Sequence, residues 1–322
     1  MRSLEATCNR PASSSLTRRR ADSSDSMTRF LAIFLTGSLR FLARFPLRWL
    51  QALGSLVGWA YYAMSASHRE RFRANAGRAG VPWAQARAGI AATGQMMMEL
   101  PPLWLRPQGA PLPMPVHWQG AELIEAVQTA GRGLVMLTPH LGCFEAIGQS
   151  YAERYGARCG AMTVLYRPAR QPWLHDLVEA ARRRPGLQAA PATLAGVRQM
   201  IRALKRGEVV GLLPDQVPPE GQGVWAPFFG RPAYTMTLAA RLVQQTGAAL
   251  LLVWGERLPQ GAGYRVRVSE LGEPLPDDNV AAATVINRAM QQLILQCPQQ
   301  YLWGYHRYRK PHAAPVPLQG AS

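Results

Sequence analysis

The stretch Thr138-Pro139-His140-Leu141-Gly142-Cys143-Phe144-Glu145 has the residue types and spacing best suited to chemistry. An imidazole is a general base near neutral pH, and a carboxylate shortly after it can hold one ring nitrogen while the other takes a proton. The spacing alone is not specific, because His117 and Glu122 are separated in the same way. Context distinguishes the two pairs. An apolar run at 133–138 leads directly into His140 and a helical stretch follows, so His140 and Glu145 are expected at a strand-to-helix junction. Polar residues also follow two other apolar runs, Arg167 after 160–165 and Asp215 after 208–213. Arg167 reads either as a bidentate fork for a phosphate or as a structural ion-pair partner of Asp215. Cys143 offers a covalent alternative, a thiol that acts as nucleophile and takes the transferred group first. A small apolar filler at a helix start is the simpler account of it. The other cysteines, Cys8, Cys159 and Cys297, lie far from it and from one another, so neither a zinc site nor a disulfide framework is indicated.

These residues need a frame. Short apolar runs at 133–138, 160–165, 208–213 and 248–254 alternate with helical stretches near 143–155, 171–184, 193–206 and 234–246. Strand and helix in turn predict an α/β fold, a mostly parallel sheet flanked by helices. Ligands in such sheets bind beyond the carboxyl ends of the strands, where His140, Arg167 and Asp215 fall. Residues 262–269 alternate and predict an antiparallel edge strand, and 279–296 a closing helix. Between them, 216–233 is rich in Pro and Gly and reads as a long loop, with Trp225, Phe228 and Phe229 as candidates to line an apolar pocket or to cover the sheet.

Composition constrains the surroundings of the site. With 48% apolar residues and only 17% charged, the chain has the material for a sizeable core and is neither disordered nor collagenous. Its 36 basic against 19 acidic residues give a net charge of +17, which attracts polyanions of some kind. No helix-turn-helix, zinc-finger or aromatic RNA-binding signature accompanies that charge, so nucleic acid is disfavoured. Residues 1–26 are polar and Ser- and Arg-rich, a pattern expected to be disordered, and Met27 opens a more ordinary beginning. Over 27–67 the chain turns apolar, with Arg40, Arg44 and Arg48 on one helical stripe. That pattern predicts a membrane-associated segment, either interfacial or, over Trp49 to Ser67, barely long enough to span; a buried core hairpin is the alternative. Residues 68–108 look helical, 68–312 form the main domain, and 313–322 a tail. Basic faces at Arg198, Arg202, Lys205 and Arg206, and at Arg182, Arg183 and Arg184, read as solvated helix surfaces or as docking patches for something acidic.

Five ordered motifs carry a family resemblance. They are the His140 stretch, Leu165-Tyr166-Arg167-Pro168, Pro214-Asp215-Gln216, Phe228-Phe229-Gly230-Arg231-Pro232-Ala233-Tyr234-Thr235, and the closing Tyr301-Leu302-Trp303-Gly304-Tyr305-His306-Arg307-Tyr308-Arg309-Lys310. Together, from about Met27 to Pro311, they resemble the lipid A biosynthesis lauroyl/myristoyl acyltransferases, within the wider glycerolipid-acyltransferase-like proteins. The wider group usually carries Asp where this chain has Glu145, while the lipid A branch accepts Glu; His306 departs from the usual pattern.

The resemblance implies transfer of a fatty acyl chain from an acyl carrier protein thioester to a hydroxyl of a lipid A precursor, at the cytoplasmic face of the inner membrane. It implies no metal and no cofactor beyond the thioester co-substrate. His140 would be the base and Glu145 its orienting carboxylate, both catalytic. Arg167, Asp215, Phe228 and Phe229 would bind substrate, with Asp215 alternatively orienting Arg167. Backbone N–H groups near Gly142 would stabilise the oxyanion. Acyl carrier protein, the lipid A precursor and an anionic membrane surface are the expected partners. Another lipid acceptor, such as a lyso-glycerolipid, an ornithine-type lipid or a glycolipid, remains open because the same base acts on any alcohol.

Overall fold

The computed structural model describes residues 33–166 and 178–311. Its centre is a seven-stranded sheet of order β1-β9-β8-β2-β5-β3-β4. The strands are β1 (Val116–Gln119), β2 (Leu134–Leu137), β3 (Met162–Tyr166), β4 (Leu187–Pro191), β5 (Val209–Leu212), β8 (Ala249–Arg257) and β9 (Tyr264–Glu270). The four residues of β2, Leu-Val-Met-Leu, are all buried, as expected of a central parallel strand covered on both faces. It runs parallel to β5 and β8, and β3 and β4 continue the parallel array.

The predicted antiparallel strand is present as β9, paired antiparallel to β8. It is not the edge, because β1 lies outside it. Both β1 and β4 escaped detection for the same reason: each is short and mixed in character, without a continuous apolar run.

The expected Pro/Gly loop is partly a hairpin. Strands β6 (Gly223–Phe228) and β7 (Arg231–Met236) pair antiparallel as a two-stranded sheet. Pro227 sits opposite Pro232, two residues that argue against strand in a sequence. The connection is the two residues Phe229 and Gly230, both at positive φ (46° and 72°), the geometry of a type I′ turn whose twist matches the strands.

The helices that precede the sheet in the chain include α1 (Leu47–Met64), α2 (Ala66–Arg78), α3 (Ala88–Met98) and α4 (Leu100–Trp104). Beyond them, α5 (Ala121–Thr129), α6 (Phe144–Cys159), α7 (Leu194–Lys205), α8 (Leu238–Thr246) and α9 (Asn279–Gln296) cover the sheet. Helix α1 lies so close to α3 that only glycine fits the crossing. A Cβ on Gly54 would stand 2.6 Å from the Gln95 Cα, one on Gly58 2.2 Å from the Ile90 carbonyl oxygen, and one on Gly94 2.0 Å from the Gly54 carbonyl oxygen. The opposite face of α1 is exposed and apolar, with Trp49, Leu53, Leu56, Trp59 and Met64 open, and Phe34, Phe41 and Phe45 exposed before it. Helix α1 is therefore not a buried core hairpin. No helix among the described residues is long and apolar enough to cross a membrane, so the spanning alternative is not supported.

The close crossing makes a direct test. Gly94→Ala should cost about 1–3 kcal/mol, because the intruding methyl meets backbone on both sides. Gly77→Ala on the exposed side of α2, with nothing within 4 Å of the added Cβ, should be neutral or stabilising by up to about 1 kcal/mol. Chemical denaturation of the two variants measures the contrast; equal stabilities would mean that α1 and α3 do not pack as described.

Candidate active site

The strand register builds the site. Leu137 of β2 is paired with Leu212 of β5, so His140 and Asp215, each three residues further along, leave neighbouring parallel strands side by side. The Asp215 carboxylate is the anchor. Its Oδ1 lies 2.7 Å from His140 Nδ1, and its Oδ2 accepts the His140 backbone N–H at 2.9 Å. The Tyr301 hydroxyl donates to the same Oδ2 at 3.3 Å. A carboxylate on Nδ1 selects the tautomer that is protonated there, leaving the lone pair on Nε2. The Gln216 amide nitrogen stands 2.9 Å from that Nε2. His140 keeps 15% of its side chain exposed, Asp215 only 2%. Burial would raise the Asp215 carboxyl, but the imidazole, its two hydrogen bonds and the Arg307 guanidinium outweigh it and hold the group below its ordinary value.

Glu145 is placed differently from the expectation. It lies in the first turn of α6, and its oxygens are taken by the Arg182 guanidinium and by Trp104, whose indole N–H donates at 3.2 Å. The imidazole's Nδ1 is held by Asp215, not by Glu145. Spacing along the chain put a carboxylate near His140, while the sheet brought a second one closer.

The turn between His140 and α6 is fixed by backbone. Gly142 has φ of 60°, and a Cβ there would stand 2.0 Å from the Gly255 carbonyl oxygen. Its N–H donates to the Gln300 carbonyl at 3.1 Å, and the Cys143 N–H donates to Gly255 at 2.8 Å. Those donors, expected to face an oxyanion, are thus committed to the fold. Cys143 is buried, and burial together with the nearby Glu99 pushes its thiol well up, which disfavours a thiolate nucleophile.

The C-terminal motif acts as a strap. The Leu302 N–H donates to the His140 carbonyl at 3.2 Å, and the Tyr305 hydroxyl accepts the Val217 N–H at 3.0 Å. Buried Arg307 donates to the Tyr234 carbonyl and the Thr235 hydroxyl, both at 2.7 Å.

His140, Phe144, Gln216 and Arg182 line a cleft of about 950 Å³ whose apolar walls include Leu165, Val197, Val217, Met236, Leu238 and Leu242. Phe228 and Phe229 are not among its lining. Phe228 is buried in the main core beneath Arg307, and Phe229 packs on Trp303. Trp225 packs on Tyr234. The loop residues that do reach the cleft are Val217, Pro218, Pro219, Gly221 and Gln222. Arg167 lies outside the described residues. His117 sits exposed on β1, in register with Arg265 of β9, away from this cleft. Trp104 carried no signal in the sequence, since it follows no run or spacing rule, and Gln216 stood only as the last residue of the Pro214-Asp215-Gln216 motif.

An imidazole held by a buried carboxylate at the mouth of an apolar cleft can take a proton beside a hydrophobic group. Comparison with known proteins gives the family. The model of the bacterial lipid A biosynthesis acyltransferase family matches residues 18–310, and the chain belongs to that family. It is 28% identical over 194 residues to the lipid A biosynthesis palmitoleoyltransferase of Escherichia coli strain K12, covering 59% of this chain and 60% of the relative. It is 30% identical over 200 residues to the lauroyltransferase of the same strain, covering 61% and 63%. An acyltransferase of Haemophilus influenzae is 24% identical over 184 residues, 57% of this chain and 56% of that one. The chain thus matches about three fifths of the length of these curated relatives.

The lowered Asp215 carboxyl carries a stability signature. Its contribution is fully present above the ordinary carboxylate value of about 4 and is lost as pH falls through the lower value in the folded protein. Asp215→Asn should therefore unfold at lower denaturant than wild type at pH 7, and the gap should narrow in acid. A gap that widens in acid would contradict the hydrogen-bonded carboxylate.

Proposed function

We propose that the protein transfers a fatty acyl chain from an acyl carrier protein thioester to a hydroxyl of a lipid A precursor. His140 is the general base, and Asp215 fixes its tautomer. The observation that carries the reading is the His140–Asp215 pair opening onto an apolar cleft at the large end of the ~300–1,000 Å³ range of small-molecule sites.

The chemistry follows from that geometry. A secondary alcohol is a weak nucleophile at neutral pH, so His140 Nε2 takes its proton as the oxygen attacks the thioester carbonyl. The C–S bond then breaks, the thiolate leaves, and the imidazolium returns its proton to sulfur. Asp215 stabilises the imidazolium formed on the way, as a buried carboxylate does in a catalytic triad. The acceptor hydroxyl must displace the Gln216 amide from Nε2 to reach the base.

Partners are proposed on the same footing. The exposed apolar face of α1, with Arg40, Arg44 and Arg48 also exposed, suits an interfacial seat on anionic lipid at the cytoplasmic face of the inner membrane. Arg198, Arg202 and Lys205 are exposed on α7, whose first turn lines the cleft, and they suit an acidic carrier protein. Of the 182–184 cluster, Arg183 alone is largely exposed. Arg184 is buried and donates to the carbonyls of Trp104, Arg106, Pro107 and Ala181, while Arg182 and Arg183 pair with Glu145 and Glu179.

Purified full-length protein given acyl carrier protein thioester should acylate a tetra-acylated, Kdo-bearing lipid A precursor and leave glycerol 3-phosphate untouched. His140→Ala should lose about 10²- to 10⁴-fold in turnover, while Cys143→Ala and His117→Ala remain active. Near-normal turnover in His140→Ala, or an acyl group trapped on Cys143, would reject the mechanism. Use of glycerol 3-phosphate in place of the lipid A precursor would move the protein to another acceptor with the same base.

A further inference from the structure

The motif carboxylate has a partner that the general-base mechanism does not use. Glu145 is 9% exposed and both its oxygens are engaged, one by Arg182 and the other by Trp104. The Arg182 guanidinium also stands 6.0 Å from the Trp104 ring centroid, within cation–π range. It is held between a carboxylate and an aromatic face, yet it is not sealed in the core: 17% of the side chain is exposed, and it lines the cleft with His140 and Phe144. Its Nε–H is buried, so a ligand in the cleft meets the guanidinium through the exposed remainder of the side chain.

We infer that Arg182 is a phosphate-binding residue of the cleft and that Glu145 is its positioning residue, acting through Arg182 rather than through His140. A guanidinium with one edge on a carboxylate retains donors for a second anion, and its planar fork matches a phosphoryl group. Trp104 and Glu145 fix its plane, which lowers the cost of ordering it on binding. The phosphate belongs either to the phosphopantetheine arm of the donor or to the sugar head of the acceptor. Both are substrates under the function proposed above, on which this inference rests.

Binding is measured first, because it does not require turnover. Full-length protein in detergent is titrated with pantetheine 4′-phosphate and with glucosamine 1-phosphate, with pantetheine and glucosamine as controls, by ligand-observed NMR. One phosphorylated probe should bind and its unphosphorylated counterpart should not; which one binds identifies donor or acceptor. Arg182→Ala and Glu145→Gln should each weaken it by about 10-fold or more, and Arg182→Lys should recover only part, since a point charge lacks the fork. Binding of neither probe by wild type, or equal binding by wild type and Arg182→Ala, would overturn the inference even if the enzyme proves active.

Kinetics then separate Glu145 from Asp215. Arg182→Ala and Glu145→Gln should raise KM for the phosphate-bearing substrate, the double variant should lose little more than the worse single, and the pH–rate profile should keep its wild-type shape. Asp215→Asn should lower kcat and move the acidic limb of that profile. If Glu145→Gln moves the limb as Asp215→Asn does, Glu145 acts on the imidazole and the inference fails. Wild-type protein that binds the probe but transfers no acyl chain would reject the proposed function while leaving the phosphate site standing.

Discussion

The Asp215 carboxylate is the point on which the site depends. It receives the ring and the backbone N–H of His140 and the hydroxyl of Tyr301. Three segments distant in sequence, the ends of β2 and β5 and the C-terminal strap, therefore converge on one buried group. An unpaired charge at that depth would be costly, and the imidazole and hydrogen bonds are what make it tolerable. The same bonds orient the imidazole that we propose as the base. Under that proposal stability and chemistry are coupled at Asp215, with the imidazole 15% exposed at the cleft while its other side is held.

A second buried charge ties the apolar helices to this site. Glu99, following α3, is fully buried and pairs bidentately with Arg257 at the end of β8, at 2.6 and 2.8 Å. Burial opposes a charge on Arg257, but the Glu99 carboxylate outweighs it and pushes the guanidinium up. Gln51 of α1 donates to the same Glu99 at 2.9 Å, and Arg257 donates to the Gly142 carbonyl at 3.4 Å. One hydrogen-bonded chain thus runs from α1, whose outer face is exposed and apolar, to the turn that follows His140. Removing either partner of such a pair costs about 3–5 kcal/mol because the other charge stays buried. The helices are therefore part of the site's framework as well as the bearers of an apolar surface.

How much of this was legible in the sequence can be judged from particular residues. The alternation of apolar runs and helical stretches located β2, β3, β5 and β8, and the polar residues beyond them pointed to His140 and Asp215. The pairing between those two was not legible, because it depends on β5 lying beside β2, and chain order does not report strand order. Had that neighbour been known, the equal offsets of His140 and Asp215 from Leu137 and Leu212 would have aligned them. Phe228 and Phe229 misled because a Pro/Gly-rich run hid a hairpin. Once β6 and β7 pair, Phe228 is buried beneath Arg307 and Phe229 turns onto Trp303. Local spacing put Glu145 near His140 but did not report its contacts, which are Arg182 and Trp104 rather than the imidazole.

The cleft adds an order to the proposed reaction. Its walls carry apolar side chains of α7, α8 and the 217–222 loop, while its polar groups include His140, Gln216, Arg182 and, from α8, Arg241, Gln244 and Gln245. A hydrocarbon chain gains free energy along those walls in proportion to the area it buries, at about 25 cal/mol per Å². That gain does not depend on the imidazole, so an acyl chain can be seated while the Gln216 amide still holds Nε2. The acceptor hydroxyl, by contrast, reaches the base only by replacing an amide hydrogen bond with its own. Of the two substrates, the donor is therefore the one that the resting geometry already accommodates, and engagement of the hydroxyl is the step that clears Nε2. Until then, water approaching a bound thioester meets a base whose lone pair is already occupied.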